Sequence, residues 1–189
     1  MSFLEQQLNA AGFFQHGTVD TTDINFSQEV RAMCEVNTCQ RYGKTWACPP
    51  AVGTVDECKA RIQQYEKMLV FTGKYNLEDS FDYEGMVEGA KQFAASCRTF
   101  DMAVRPYLTS YIMLANEGCD LCKECTYPDA PCRFPDRAHA SLEANGIFVN
   151  ELAALAQINY NNGVNTVTYF GALVCDSKDL KLLESLEEK

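Results

Sequence analysis

The segment Gly118–Pro135 reads GCDLCKECTYPDAPCRFP and places Cys119, Cys122 and Cys125 at C-x2-C-x2-C spacing, with Cys132 following. Three thiols at every third residue bend the chain around one object and point at it. A cuboidal iron–sulfur cluster is the commonest such object, because its iron corners accept thiolates from one tight loop and a fourth from just outside it. The ferredoxin-type run is C-x2-C-x2-C-x3-C-P. Here the fourth cysteine comes later, and Pro135 lies beyond Cys132 rather than beside it. Zinc is the competing occupant, although zinc usually takes two C-x2-C-like pairs from separate elements.

A second group, Cys34, Cys39 and Cys48, is spaced C-x4-C-x8-C and ends in Cys48-Pro49-Pro50. Cys–Pro also ends the ferredoxin run, where proline fixes the chain leaving the ligand and offers no N–H. Between these cysteines lie Arg41, Tyr42, Gly43, Lys44 and the only tryptophan, Trp46. Aromatic cover shields a cluster from water, and Arg41 and Lys44 are placed to offset thiolate charge or to hold an anionic substrate. Three cysteines are one short of a closed site. Cys58, in the first turn of a helix where the dipole favours anions, is the candidate fourth ligand; the alternative is that it belongs to that helix's apolar stripe. An exogenous ligand also completes the set, and exchange of fourth cysteines between the two loops, as in two-cluster ferredoxins, is a further connectivity. An iron lacking a protein ligand is a Lewis acid or a substrate site.

Other residues divide into packing and chemistry. Cys97 on a helix face and Cys175 at a strand end read as packing residues. His16 carries no local signal, and His139 reads as a solvated helix histidine, with ligand or proton donor as its alternative role. Arg133 and Arg137 flank Cys132 and its proline as charge balance or an anion clamp. Lys44, Arg133 and Glu143 are the candidate catalytic residues.

These residues need elements to position them. The 189 residues suffice for a substantial core, read as a single cysteine-rich domain over 1–189. Ser2–Glu5 and Thr54–Glu57 are capping boxes opening helices, the second with a stripe of Val55, Cys58, Ile62, Tyr65 and Leu69. Ser27 caps a helix through Val36. A long amphipathic helix carries Val87, Ala90, Ala94, Cys97 and Val104 and is bounded by Pro106. Strands are expected at Phe13–Val19, Met68–Thr72 (ended by Gly73), Ser110–Ala115 and Val164–Val174. Asp136 is expected to cap a helix through Ala144, another follows over Phe148–Ile158, and a polar, leucine-bearing helix closes the chain. Strands alternating with helices give an α/β fold, a small sheet with flanking helices and two cysteine-rich metal-binding loops at the sheet's end.

Net charge is −10 with ten cysteines. The acidic balance argues against nucleic-acid and anionic-membrane partners. No apolar run approaches the roughly 20 residues of a membrane span, and MSFLEQQLNAAGFF lacks a basic n-region. The expected setting is a reducing cytoplasm, where cysteines serve metals more than disulfides.

RYGKTWACPP, then EGCDLCKECTYPDAPCRFP and SLEANGIFV, resemble the predicted metal-binding proteins called domain of unknown function 2284, found largely in anaerobic bacteria and archaea. The resemblance covers about Val30–Val174. By it, Cys48 with Tyr42, Lys44 and Trp46 matches the first motif. Cys119, Cys122, Cys125, Cys132, Arg133 and Pro135 match the second, and Ser141, Glu143, Ala144 and Gly146 the segment after it. It implies metal binding in an anaerobic setting and supplies no reaction. The leading expectation is one or two [4Fe–4S] clusters in electron transfer or redox chemistry, with a redox partner protein or a small-molecule substrate. The rivals are an iron–sulfur enzyme with an open iron acting on a small anionic substrate, and a zinc-binding interaction protein.

Overall fold

Two ten-residue apolar runs pair antiparallel at the centre of the structure, a computed structural model that describes residues 1–186. They are β2 (Lys67–Asn76) and β5 (Thr166–Cys175), in register from Lys67 opposite Cys175 to Asn76 opposite Thr166. Alternate side chains of a strand point to opposite faces. Met68, Val70, Ala172 and Val174 therefore enter one apolar cluster, and Leu69, Phe71, Leu173 and Cys175 enter another. Such strands read as continuous hydrophobic runs because both faces must be covered.

The sheet is completed by β1 (Gln15–Asp20), antiparallel to β2, by β3 (Tyr111–Ala115), antiparallel to β5, and by the short β4 (Ala140–Ser141), parallel to β3. Its order is β1-β2-β5-β3-β4. Helices α1 (Phe3–Ala10), α4 (Tyr83–Val104) and α6 (Ser177–Ser185) cover the Phe71 face with Leu4, Leu8, Phe93, Phe100, Leu180 and Leu183. The opposite face is covered by α5 (Val149–Leu155), by Ile62 of α3 (Val55–Ile62), and by Leu142 and Ile147. Helix α2 (Gln28–Val36) packs on the 3-10 turn Glu143–Asn145. Among the described residues no helix is long and apolar enough to cross a membrane.

The fold is α/β, as the alternation of patterns implies. Both capping boxes form, Ser2 with Glu5 and Thr54 with Glu57. Three expectations need correction. Gly73 does not end its strand, which continues to Asn76; a Cβ at Gly73 would lie 2.5 Å from the Phe93 ring, so glycine is there to let α4 approach the sheet. The stripe of α3 stops at Ile62, and Leu69 belongs to β2, because two apolar patterns of different period run together there. Asp136–Ala144 is not a helix: it is a turn, then β4, then the 3-10 turn. Pairing of Ala140 and Ser141 with the edge of β3 wins over local helix propensity.

Helix α5 ends against β1. A Cβ on Gly17 would meet the Ala156 carbonyl oxygen at 2.2 Å, and that oxygen is backbone that cannot rotate away. Gly17→Ala should therefore destabilise the fold by about 1–3 kcal/mol through overpacking. In urea titrations this reads as a lower midpoint with an unchanged slope.

Candidate metal centre

Helix α4 holds the long cysteine segment (residues 116–139) at both ends. At its start, Asn116 Nδ2 donates to the Ala90 carbonyl at 3.1 Å, and Arg98 Nη1 pairs with Asp120 Oδ1 at 3.1 Å. At its end, Arg105 donates to the Asp136 carbonyl and, through Nη2, to Asp101 Oδ2 at 2.5 Å. Asp101 is buried and accepts twice more, from Tyr111 Oη at 2.6 Å and at 3.1 Å from Nε2 of His139. Burial pushes the Asp101 carboxyl up, but the bonds from His139, Tyr111 and Arg105 outweigh it and hold the group below its ordinary value. An ionised carboxylate only accepts, so His139 Nε2 carries the proton of that bond. Burial, reinforced by Asp101, pushes Tyr111 up to about 12.

The short cysteine segment (residues 37–53) begins where α2 ends at Asn37 in the left-handed conformation, with φ 60°. Asn37 Oδ1 accepts from the Tyr42 N–H at 2.9 Å, and the Gly43 N–H donates to the Pro49 carbonyl at 2.8 Å, closing a compact loop. That loop is fastened to the long segment three times. Arg41 Nη1 donates to the Cys119 carbonyl at 2.9 Å. Trp46 Nε1 donates to the Ala130 carbonyl at 3.0 Å, and its ring meets Tyr127 edge-on with centroids 5.0 Å apart. The buried Cys48 packs its sulfur against Gly118, where any Cβ would sit 2.9 Å from Sγ.

Between the two segments lies a cavity of about 570 Å³ whose wall carries five thiols: Cys39, Cys119, Cys122, Cys125 and Cys132. Trp46, Tyr127 and Phe134 give it aromatic sides, and Arg41, Lys44, Lys123 and Arg133 give it positive charge. Cys132 also borders an outer groove of about 480 Å³ walled by Trp46, Pro128, Pro131 and Pro135. The Phe134 N–H donates to Cys132 Sγ at 3.4 Å, the kind of bond that tunes a metal-bound sulfur. Soft thiolates in a partly closed, aromatic-lined space suit an iron–sulfur cluster or zinc. Among the described residues, no three His, Cys, Asp or Glu side chains close to single-ion spacing.

A family described as a predicted metal-binding protein (DUF2284) matches residues 17–175, from β1 to the end of β5. The chain belongs to that family. The matched span contains both cysteine segments. Neither curated proteins nor solved structures gave a match.

In this DUF2284 protein the expected site residues fall into three places. Cys39, Cys119, Cys122, Cys125, Cys132, Lys44 and Arg133 share the cavity wall. Cys34 and Cys48 stand behind it: Cys34 Sγ lies 4.0 Å from the Glu143 carbonyl, and Cys48 has Cys39 and Cys125 among its charge neighbours. Burial raises Cys34, Cys48 and Cys119 above an ordinary thiol, so a metal binding there displaces protons. Cys58 is elsewhere. It is buried beneath α3, donates to the Val52 carbonyl at 3.4 Å, and accepts from Arg61 Nη2 at 3.3 Å and Arg31 Nη2 at 3.7 Å. Glu143 keeps an accessible face yet is walled in on most sides. Loss of hydration raises its carboxyl, and Glu117 adds repulsion.

One expectation for a single residue needs correction, and one for a pair holds. His139 is not a solvated helix residue: it precedes β4, its side chain is only 9% exposed, and its partner is Asp101. Cys97 and Cys175 are buried in the Phe71-side core, where burial pushes Cys175 up to about 12. The network of Asp101, Arg105 and Tyr111 is new. Its signal was Arg98, Asp101 and Arg105 at i, i+3 and i+7 on an apolar helix, a polar stripe beside the buried one.

Replacing Asp101 by Asn should cost about 3 kcal/mol near neutral pH, because three donors lose an ionised partner. The folded-state pKa is depressed, so this stability is present above the unfolded value of about 3.9 and is lost as pH falls below it. Unfolding free energies of the two proteins should therefore run parallel above about pH 5 and converge below about pH 4.

Proposed function

We propose that this DUF2284 protein is an iron–sulfur protein, holding one or two [4Fe–4S] clusters and serving electron transfer or redox chemistry in an anaerobic cytoplasm. The observation that carries this reading is the convergence of thiols from two distant segments on one cavity. Cys119, Cys122, Cys125 and Cys132 would hold one cluster. Cys34, Cys39 and Cys48 would hold a second, its fourth position filled from outside the chain, because a cysteine moved over from the other loop would only open the first cluster instead. The contacts of Cys58 with two guanidiniums and a carbonyl support leaving it out. A bound cluster supplies one-electron transfer, and an iron short of a thiolate supplies Lewis acidity.

The chain's own contributions follow from its contacts. Arg41 and Arg133 donate to the Cys119 and Glu124 carbonyls, which fixes two cations beside the thiols. Trp46, Tyr127 and Phe134 limit water. Trp46, Cys132 and Ala138 line both the cavity and the outer groove, so a partner protein seated in the groove would lie one layer of side chains from the centre. The six cysteines of the two segments and Cys34 at the end of α2 are one fewer than two closed clusters need, and this favours a second reading: an enzyme with an open iron, Lys44 and Arg133 binding its substrate.

Protein purified without oxygen should contain iron and labile sulfide in about equal amounts, roughly four of each per cluster. A sulfide-free, zinc-loaded protein would overturn the reading. Cys122→Ala and Cys132→Ala should each lose about one cluster's iron, roughly four per chain, whereas Cys58→Ala and Cys97→Ala should keep it. An EPR signal of the reduced protein that changes on adding cyanide marks an open iron; an unresponsive signal from two clusters favours plain electron transfer.

A further inference from the structure

The wall of the cysteine cavity is positively charged in a protein whose net charge is −10. Arg41, Lys44, Lys123 and Arg133 line it, against one carboxylate, Glu124. A random share of a chain with 16 basic and 26 acidic residues would have the opposite sign. The four cations differ in what holds them. The arginines, Arg41 half-buried and Arg133 exposed, are tied down by bonds to the Cys119 and Glu124 carbonyls, at 2.9 Å each. Among the described residues neither arginine forms an ion pair with a carboxylate. The lysines are exposed, and among the described residues neither Lys44 nor Lys123 lies within ion-pair distance of an acid. Two lysines on one rim, beside two arginines and a single carboxylate, leave a local field that attracts anions.

We infer that Lys44 and Lys123 form an anion-binding rim that admits a small dianion, bearing carboxylate or phosphate groups, to the cysteine cavity. One lysine comes from each cysteine segment, so the ligand would bridge the two walls. The cavity volume of about 570 Å³ lies within the roughly 300–1,000 Å³ of small-molecule sites, and at about 30 Å³ per water it holds on the order of 20 waters for a ligand to displace. The arginines are already engaged with the Cys119 and Glu124 carbonyls, which leaves the lysines for the ligand. Compact, rotatable ammonium groups suit anions of varied shape. The inference rests on the proposed metal centre for its location, but the charge arrangement belongs to the chain alone.

Trp46 is the only tryptophan and lines this cavity, so its fluorescence reports on ligands there. The full chain would be titrated with succinate and with inorganic phosphate, at ionic strength held constant with chloride. Metal-free protein is followed by fluorescence and calorimetry, and anaerobically purified protein by calorimetry. The expected result is saturable binding of at least one probe; which one binds assigns carboxylate or phosphate recognition. The double variant Lys44→Gln, Lys123→Gln should weaken binding by about tenfold, equivalent to roughly 1.4 kcal/mol. Lys178→Gln makes a similar charge change at a lysine outside the cavity and should leave binding unaltered. Both lysines are exposed, and circular dichroism melts check that the variants fold, with the single variants as a second series. No saturable binding beyond the chloride control, or equal binding by the double variant, overturns the inference. Iron and sulfide content is measured on the same preparations, so a protein without a cluster that binds the dianion refutes only the iron–sulfur reading.

Discussion

The cysteine architecture depends on one buried carboxylate. Asp101 is almost fully enclosed, yet it carries charge because Arg105, Tyr111 and His139 all donate to it. Each donor belongs to a different part of the chain: the 3-10 turn that follows α4, β3, and the turn before β4. A charge taken out of water is tolerated only when its lone pairs are satisfied. That requirement fixes the mutual position of all three parts, and through the bond from Arg105 to the Asp136 carbonyl it fixes the exit of the cysteine segment as well. Arg98, one turn earlier on α4, fixes the entrance through Asp120. A loop with no regular secondary structure of its own is thus held by side chains from one long helix.

The helix can do this because the sheet anchors it. Phe93, Phe100, Cys97 and Val104 bury against Leu69, Phe71 and Leu173, with Phe13 stacked on Phe71 at 4.2 Å between centroids. The polar residues that grip the loop are interleaved with these apolar ones, so the packing that stabilises the domain also aims the clamps. On the other face, Arg31 performs a similar office for the short segment. It is buried and donates to the Gly53 and Ala144 carbonyls at 2.7 and 2.6 Å, joining α2, the turn before α3 and the 3-10 turn after β4.

Much of this was legible in the amino-acid sequence, and the parts that were not share a cause. Capping boxes, the amphipathic α4 and the apolar strands are local patterns, and they form where expected. Cys119, Cys122, Cys125 and Cys132 declare themselves by spacing. Nothing local tells that Cys39 will join them at one cavity, that Cys48 will lie against Gly118, or that Trp46 will reach Ala130. Those are tertiary meetings between segments more than sixty residues apart. The expected helix over Asp136–Ala144 failed because Ala140 and Ser141 found an open strand edge, a partner that local propensity does not see. With that helix went the solvated environment expected for His139. Asp101 was visible as a residue but not as a centre, since its meaning lies in Tyr111 and His139, which the fold supplies.

Because the cavity takes its walls from two segments, it has a birth order. Residues 37–53 emerge from the ribosome well before residues 116–139. The first wall has no opposite number until Cys132 is made, and the clamps of α4 close only once His139 has followed. Until then the pocket lacks one of its two walls. Whatever fills it must follow the second segment, so it joins two pieces of chain already made and cannot seed the first alone.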